Sequence, residues 1–509
     1  MIDDLPADPT QFTFDPESSA EWAALGALGH QMLKDMLRAQ RGLHGEAAWT
    51  EMPPATRTAL AEPVPFEGVG AQAAYEHFVA HVLPYPNGSW HPRFFGWVQG
   101  NGTPLAMLSD MLASGLNAHL GGFNHAPAVV ERQTVAWLAE LLGMPGATGL
   151  FVSGGTMANT LGIAVARFAR ARADGRDTRR DGVQQWPGES APAPMVLYGS
   201  EETHGWARKA VELLGLGDRA FRRVPCGGDH RIDVDALARM IADDRRAGLL
   251  PFCIIGTAGT VNIGATDDLT ALAALARREA MWFHVDGAFG ALAYLSPTLR
   301  PRVAGMELAD SIGFDLHKWG SMPFDCACML VRDAEAHHAT FRTTASYLSP
   351  LSRGVSATDD TGGMAYFAER GIDLTRGFKA LKVWMSLKAD GVHKLARIIE
   401  QNVAQCACLA ARIEGHPELE LLAPVPLNIV NFRYVAPGLD ETALNALNQE
   451  VLLRLQERGI AVPSSTTLGG RFAIRVANVN HRARTADFDL LADSVVALGR
   501  EIVAETNCR

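Results

Sequence analysis

Apolar side chains recur at helical spacing over residues 18–40, where Trp22, Leu25, Leu28, Met32, Leu33 and Met36 form one stripe and predict an amphipathic helix. Pro53, Pro54, Pro63 and Pro65 break any longer run, so residues 1–85 read as an N-terminal helical arm. Beyond it the periodicity changes. Short apolar runs rich in β-branched or aromatic residues occupy 149–152, 195–198, 252–256, 282–285 and 326–331, and helical patterns fill 157–172, 206–214 and 269–279. Nearly continuous apolar strands alternating with helices predict an α/β domain around a largely parallel sheet. Residues 174–194, rich in Arg, Asp, Gly and Pro, read as an exposed excursion. A helix over 378–388 leads into a smaller region with strands over 428–434 and 471–476, so the chain divides into 1–85, 86–377 and 378–509. No internal repeat is visible.

Length and charge narrow the picture. A chain of 509 residues exceeds what one core usually fills, and 48% hydrophobic with 20% charged content excludes wholesale disorder. A net charge of −10 argues against a nucleic-acid or anionic-membrane binder, which would carry a basic face. The start, MIDDLPADPT, lacks the basic-then-apolar order of a signal peptide, and no uninterrupted apolar run of about 18 residues occurs, so the expected location is the cytoplasm. Cys326/Cys328 and Cys406/Cys408 are C-x-C pairs without a second pair or a histidine at zinc-site spacing, and they read as small buried apolar residues. With no H-E-x-x-H helix either, no metal is expected.

In a parallel sheet, functional groups collect beyond the C-terminal strand ends. The first such end, Phe151-Val152, runs into Ser153-Gly154-Gly155-Thr156 and a helix, a turn whose free N–H groups and dipole suit a phosphate. No G-x-x-x-x-G-K-[ST] is present, so an ATP P-loop is not supported. A second end, Trp282-Phe283-His284-Val285, delivers Asp286, a buried acid that needs a positive partner. Farther on, Lys318 lies in the apolar stretch Gly313-Phe314-Asp315-Leu316-His317-Lys318-Trp319; burial there would depress its pKa and prepare the amine for a Schiff base. Each feature alone fits an ordinary loop. Together, an anion turn, a strand-end acid and a lysine describe a site for a phosphorylated aldehyde whose ring acts as an electron sink.

The segments HPRFFGW (91–97), SGGTMANT (153–160), GTAGTVNIGATDDL (256–269), HVDGAFG (284–290) and HKW followed by FDCACMLV (317–331) make the chain resemble the pyridoxal-phosphate-dependent group II amino-acid decarboxylases. The resemblance implies the fold-type I, aspartate aminotransferase-like architecture with pyridoxal phosphate (PLP) in the large domain. It also implies a homodimer with active sites at the interface. By the same resemblance, Lys318 binds the cofactor covalently, Asp286 pairs with the pyridine nitrogen, and Ala288 packs on one ring face. His204 stacks over the other face near the substrate carboxylate, Gly155, Thr156 and His317 hold the phosphate, and Thr257 lies near the ring. Asp315 stands where the family commonly has asparagine. Tyr347, in a loop over 343–363, matches the tyrosine that protonates the substrate carbon after carbon dioxide leaves.

Substrate choice turns on fewer residues. Trp97, Val98 and Gln99 follow HPRFFG where aromatic-acid decarboxylases line their pocket; Trp97 keeps an aromatic there, while Val98, Gln99 and Gly100 depart. The stretch 117–125 carries His119, Phe123, Asn124 and His125, and its polar members could meet a polar or acidic side chain. Trp97 and Phe123 suit a planar ring, so an aromatic amino acid is the expected substrate, with glutamate, aspartate or cysteine sulfinate as runner-up. An aldehyde synthase ranks lower because Tyr347 and His204 are the decarboxylase-type residues. A catalytically silent PLP-binding protein is disfavoured by the joint presence of Lys318, Asp286, His204 and Tyr347.

Overall fold

In chain order the strands are β1 (Phe94–Phe95), β2 (Thr148–Val152), β3 (Met195–Ser200), β4 (Phe221–Val224), β5 (Leu250–Thr257), β6 (Trp282–Asp286), β7 (Ser311–Asp315), β8 (Ala327–Val331), β9 (Leu419–Leu421), β10 (Ile429–Tyr434), β11 (Val462–Leu468) and β12 (Arg471–Ala477). They belong to a computed structural model that describes residues 13–188, 190–343, 354–355 and 367–508. Seven of them form one sheet in the order β2-β8-β7-β6-β5-β3-β4. Its pairings from β7 through β6, β5 and β3 to β4 are parallel, and β8 alone runs against both its neighbours, β2 and β7. Reversing one strand between β2 and β7 leaves β2 pointing the same way as the parallel set. The C-terminal ends of β2, β3, β5, β6 and β7 therefore share one edge of the sheet. The fold is the α/β architecture expected, with β8 as the antiparallel member.

Both faces of this sheet are covered, as its composition requires. Phe252, Cys253, Ile254 and Ile255 on β5 are fully buried, each large side chain contributing roughly 1.5–3 kcal/mol of burial energy. The helix Gly155–Ala173 packs on β5 to β8 through Ala158, Leu161 and Val165, small and branched residues that let it lie close. A second sheet, β1-β11-β12-β10-β9, is antiparallel except for β1, which joins β11 in parallel. Thus Phe94 and Phe95, far upstream in the chain, are stitched to the C-terminal sheet. The helix predicted over 378–388 extends over Ala380–Glu414, with a break at Gly391, whose φ of 74° is one glycine tolerates. Val383 before the break and Ile399 after it join the large core, and the last turns add Cys406, Leu409 and Ile413 to the C-terminal one.

The arm helix spans Ser19–Gly42, closed by a reciprocal Ser18–Glu21 capping box. Of its apolar stripe Leu28 is buried, while Trp22, Leu25 and Met32 stay exposed on the single chain. Cys326, Cys328 and Cys406 are buried as expected; Cys408 is exposed instead, because it faces away from the core side of its helix. Among the described residues no helix is long and apolar enough to cross a membrane.

Candidate active site

The shared strand edge opens into a cavity of about 360 Å³. Lys318, Asp286, Ala288, His204, Gly155, Thr156, Thr257, His317, Trp97 and Val98 all line it, so residues scattered over more than two hundred positions converge. Each arrives by the same geometry: Thr257, Asp286 and Asp315 terminate β5, β6 and β7, Ser153 follows β2, and His204 follows β3.

Asp286 is 3% exposed, and its oxygens accept from two neutral donors. The Ala288 backbone N–H reaches Oδ1 at 3.1 Å, and the indole Nε1–H of Trp206 reaches Oδ2 at 2.5 Å. Trp206 is itself wedged edge-on against His284, ring centroids 5.8 Å apart at 73°. His284 is locked in turn: Nε2 donates to Asn159 Oδ1 at 3.0 Å and Nδ1 accepts from Ser311 Oγ at 2.8 Å. Burial pushes the His284 pKa down to about 4, so the ring stays neutral near neutral pH, matching this donor–acceptor pattern. Asp286 thus has hydrogen bonds but, among the described residues, no ion pair.

The lysine enters the same cavity just beyond the neighbouring strand β7. Lys318 Nζ lies 2.8 Å from Asp315 Oδ2; the lysine side chain is 24% exposed and the aspartate 2%. The apolar burial expected of Lys318 is therefore partial, and its nearest polar partner is the carboxylate three residues earlier. Asp315 Oδ1 is buried, 3.8 Å from His317 Nε2, and has no hydrogen-bond partner among the described residues. His317 Nδ1 accepts the Cys326 backbone N–H at 3.1 Å, which puts the ring proton of its neutral form on Nε2, the nitrogen toward Asp315. His204 is arranged alike: Nδ1 accepts the Trp206 N–H at 3.2 Å, leaving Nε2–H without a partner among the described residues. Burial lowers the His204 pKa, with Asp286 pulling the other way. The helix Gly155–Ala173 begins beside them, and Gly154 provides no side-chain cap, so the first-turn N–H groups remain available to an anion.

A third wall is the loop after β1. Trp97 and Val98 both adopt positive φ, 50° and 57°, a conformation uncommon for any side chain and strained for a β-branched one. Asn101 anchors the loop through Asn480 Oδ1 at 2.5 Å and His481 Nδ1 at 2.9 Å. Gly100 presses on the lysine segment: a Cβ there would lie 2.1 Å from the His317 carbonyl oxygen and 2.4 Å from that of Lys318.

Other expected residues lie elsewhere. Gln99 does not line the cavity and accepts a hydrogen bond from Asn87 Nδ2 at 3.0 Å. His119 and Phe123 are also off the cavity, packed edge to face at 5.5 Å, with His125 against Phe123 at 6.3 Å. Tyr347 falls outside the described residues. Sequence reasoning missed Asn159, Glu202, Trp206, Val261 and Phe289 on the cavity wall. It also missed Arg475, 3% exposed, which donates to the carbonyls of Val261 and Asn262 and to Ser464 Oγ. A charged residue inside the apolar strand RFAIRVA was a readable signal for it.

The donor set suits PLP. A buried carboxylate lacking a cation meets a pyridinium, an uncapped helix start meets a phosphate, and Lys318 offers the amine. Among the described residues, the buried Thr257 Oγ1 and Asn159 Nδ2 have no hydrogen-bond partner, and both residues line the same cavity.

A family model described as the pyridoxal-dependent decarboxylase conserved domain matches residues 77–435. The chain is 32% identical over 458 residues to an aromatic-L-amino-acid decarboxylase of Bacillus atrophaeus, covering 89% of this chain and 90% of that protein. It is 28% identical to an L-2,4-diaminobutyrate decarboxylase of Acinetobacter baumannii, covering 83% of each. Among solved structures it resembles Oryza sativa TDC with PLP and tryptamine at a TM-score of 0.86 and 25% identity, over 96% of this chain and 100% of the other.

Proposed function

Because the chain belongs to the pyridoxal-dependent decarboxylase family, a lyase family acting on amino acids, we propose that it converts an aromatic L-amino acid to the amine and carbon dioxide. When bound, PLP supplies an aldehyde carbon for the amine and a ring that takes up the electron pair left as carbon dioxide departs. Lys318 Nζ would provide the amine that holds the cofactor. Asp286, oriented by two N–H donors, holds the proton at the ring nitrogen. The first turn of Gly155–Ala173, with Thr156 and His317 Nε2–H, holds the phosphate. Ala288 and His204, both on the cavity wall, would hold the ring, and the Nε2–H of His204 would orient the carboxylate that is lost. Tyr347 returns a proton to the α-carbon.

The carrying observation is that Lys318 and the cation-free carboxylate of Asp286 line one cavity with an open helix N-terminus. Trp97, Val98, Val261 and Phe289 give that cavity an apolar rim, which supports an aromatic side chain. Glu202, bonded to Asn262 Nδ2 at 2.7 Å, adds a carboxylate to the wall and weighs against an acidic substrate. The same carboxylate favours a second reading, a short cationic side chain such as that of 2,4-diaminobutyrate.

A homodimer fits the exposed apolar side chains of the arm and of the helix Pro104–Leu116, where Met111, Leu112 and Leu116 are uncovered. In that assembly His119 and Phe123, just beyond the helix, would border the neighbouring subunit's cavity. The free cysteines fit the reducing cytoplasm. The test is borohydride reduction of the yellow protein followed by carbon dioxide release from a panel of aromatic, acidic and diamino acids. An adduct at Lys318 with turnover of tyrosine, tryptophan or DOPA is expected. No adduct would refute the site, and turnover of other classes alone would refute the substrate.

A further inference from the structure

We infer that Trp206 is a positioning residue that acts through Asp286 on the ring nitrogen of the cofactor, an inference that rests on the site proposed above. Three observations carry it. The Trp206 indole N–H donates to Asp286 Oδ2 at 2.5 Å, a hydrogen bond to an ionised acceptor, the class that is shorter and stronger than neutral pairs. Trp206 and Asp286 are 2% and 3% exposed, so water does not compete for either group. The indole cannot swing away, because His284 blocks its edge and is itself held by Asn159 and Ser311.

The chemistry follows from these contacts. A carboxylate that accepts a hydrogen bond is stabilised as the anion and holds a shared proton less tightly. The indole therefore favours the arrangement in which the proton sits on the pyridine nitrogen and the negative charge stays on Asp286. It also fixes the carboxylate rotamer, since Oδ1 is held by the Ala288 N–H and Oδ2 by the indole. Trp206 need not touch substrate for this. The buried series from Asn159 and Ser311 through His284 to Trp206 ends at Asp286 Oδ2, on the carboxylate that would meet the ring nitrogen.

The test compares two cofactors: PLP, and an analogue whose ring nitrogen is replaced by CH. Apo protein is titrated with each, and binding is followed by absorbance and tryptophan fluorescence. Trp206→Phe removes the donor while keeping an aromatic ring, and should weaken PLP binding roughly tenfold, the scale of one hydrogen bond to a charged group. Binding of the analogue should change less than about twofold, because Asp286 has no ring nitrogen to serve. Trp206→His keeps a ring N–H donor and should retain most of the wild-type preference for PLP over the analogue. Equal losses for both cofactors, or no loss for either, would overturn the assignment and mark Trp206 as packing alone. Should the Phe variant not fold, the His variant decides: preference retained supports the role, preference lost in folded protein overturns it. Failure of wild type to bind PLP would instead strike the site itself.

Discussion

Gly100→Ala tests how tightly the cavity loop is braced against the lysine. The added methyl carbon would lie 2.1 Å from the His317 carbonyl oxygen, 2.4 Å from that of Lys318 and 2.9 Å from the His317 carbonyl carbon. These positions are about 1 Å inside ordinary van der Waals separation. All three atoms are backbone, so no side chain can rotate out of the way. The loop cannot retreat easily either, because Asn101 is tied to Asn480 and His481 and its carbonyl accepts from Arg482 at 2.9 Å. One of two braced segments must move. Overpacking of this kind costs about 1–3 kcal/mol. If the lysine segment yields, a displacement near 1 Å at Lys318 lowers turnover by roughly 10²-fold. The assay pairs urea denaturation of the PLP-loaded proteins with kcat/KM for carbon dioxide release. A variant with wild-type stability and turnover would show that the close approach has no mechanical consequence.

Other residues give independent checks. Asp315→Asn removes a carboxylate beside the anion turn, and relief of about 1 kcal/mol of repulsion should tighten PLP binding roughly fivefold in a fluorescence titration; unchanged or weaker binding would count against the electrostatic reading. Tyr347→Phe should leave carbon dioxide release intact while diverting product toward aldehyde and ammonia with consumption of O2, as an oxygen electrode and an ammonia assay would report; amine formed at the wild-type rate with neither by-product would refute the tyrosine's role. His337, with Nε2 donating to the Arg370 carbonyl at 2.7 Å and Nδ1 at 2.7 Å from Thr148 Oγ1, is held neutral by burial with its pKa lowered to about 4. Its unfolded value is near 6.5, so the stability it confers is complete above that pH and is lost as pH falls toward about 4. Between about pH 7 and 5 the loss should be on the order of 2 kcal/mol. His337→Gln should flatten that slope in urea titrations, and an unchanged slope would place the pH dependence elsewhere.

Much of this arrangement was legible in the chain. The apolar runs at 195–198, 252–256 and 282–285 became β3, β5 and β6 because strands buried on both faces need little beyond continuous apolar sequence. β4, β7 and β11 were harder to read, since FRRV and VPSSTTL mix polar and apolar residues and their strand character comes from pairing with neighbours. The helix over 378–388 was legible: it runs from Ala380 to the break at Gly391, whose φ of 74° and ψ of 161° are not helical, and the second helix beyond it, up to Glu414, was not foreseen.

The site divides along the same line. Residue type and local motif singled out Lys318, Asp286 and the Ser-Gly-Gly-Thr turn, because amine, carboxylate and anion chemistry depend on side chains and on short backbone geometry, whereas His204 came from the family resemblance. Tertiary structure decided which groups they meet. Trp206 reaches Asp286 across eighty positions, Arg475 braces a turn more than two hundred residues away, and Asp315 pairs with Lys318 at 2.8 Å. Those partnerships follow from strand order and from the single reversed strand β8, which bring distant strand ends to one edge of the sheet. A local pattern can specify a strand or a turn, but the distance between two such elements is set by how their apolar faces pack.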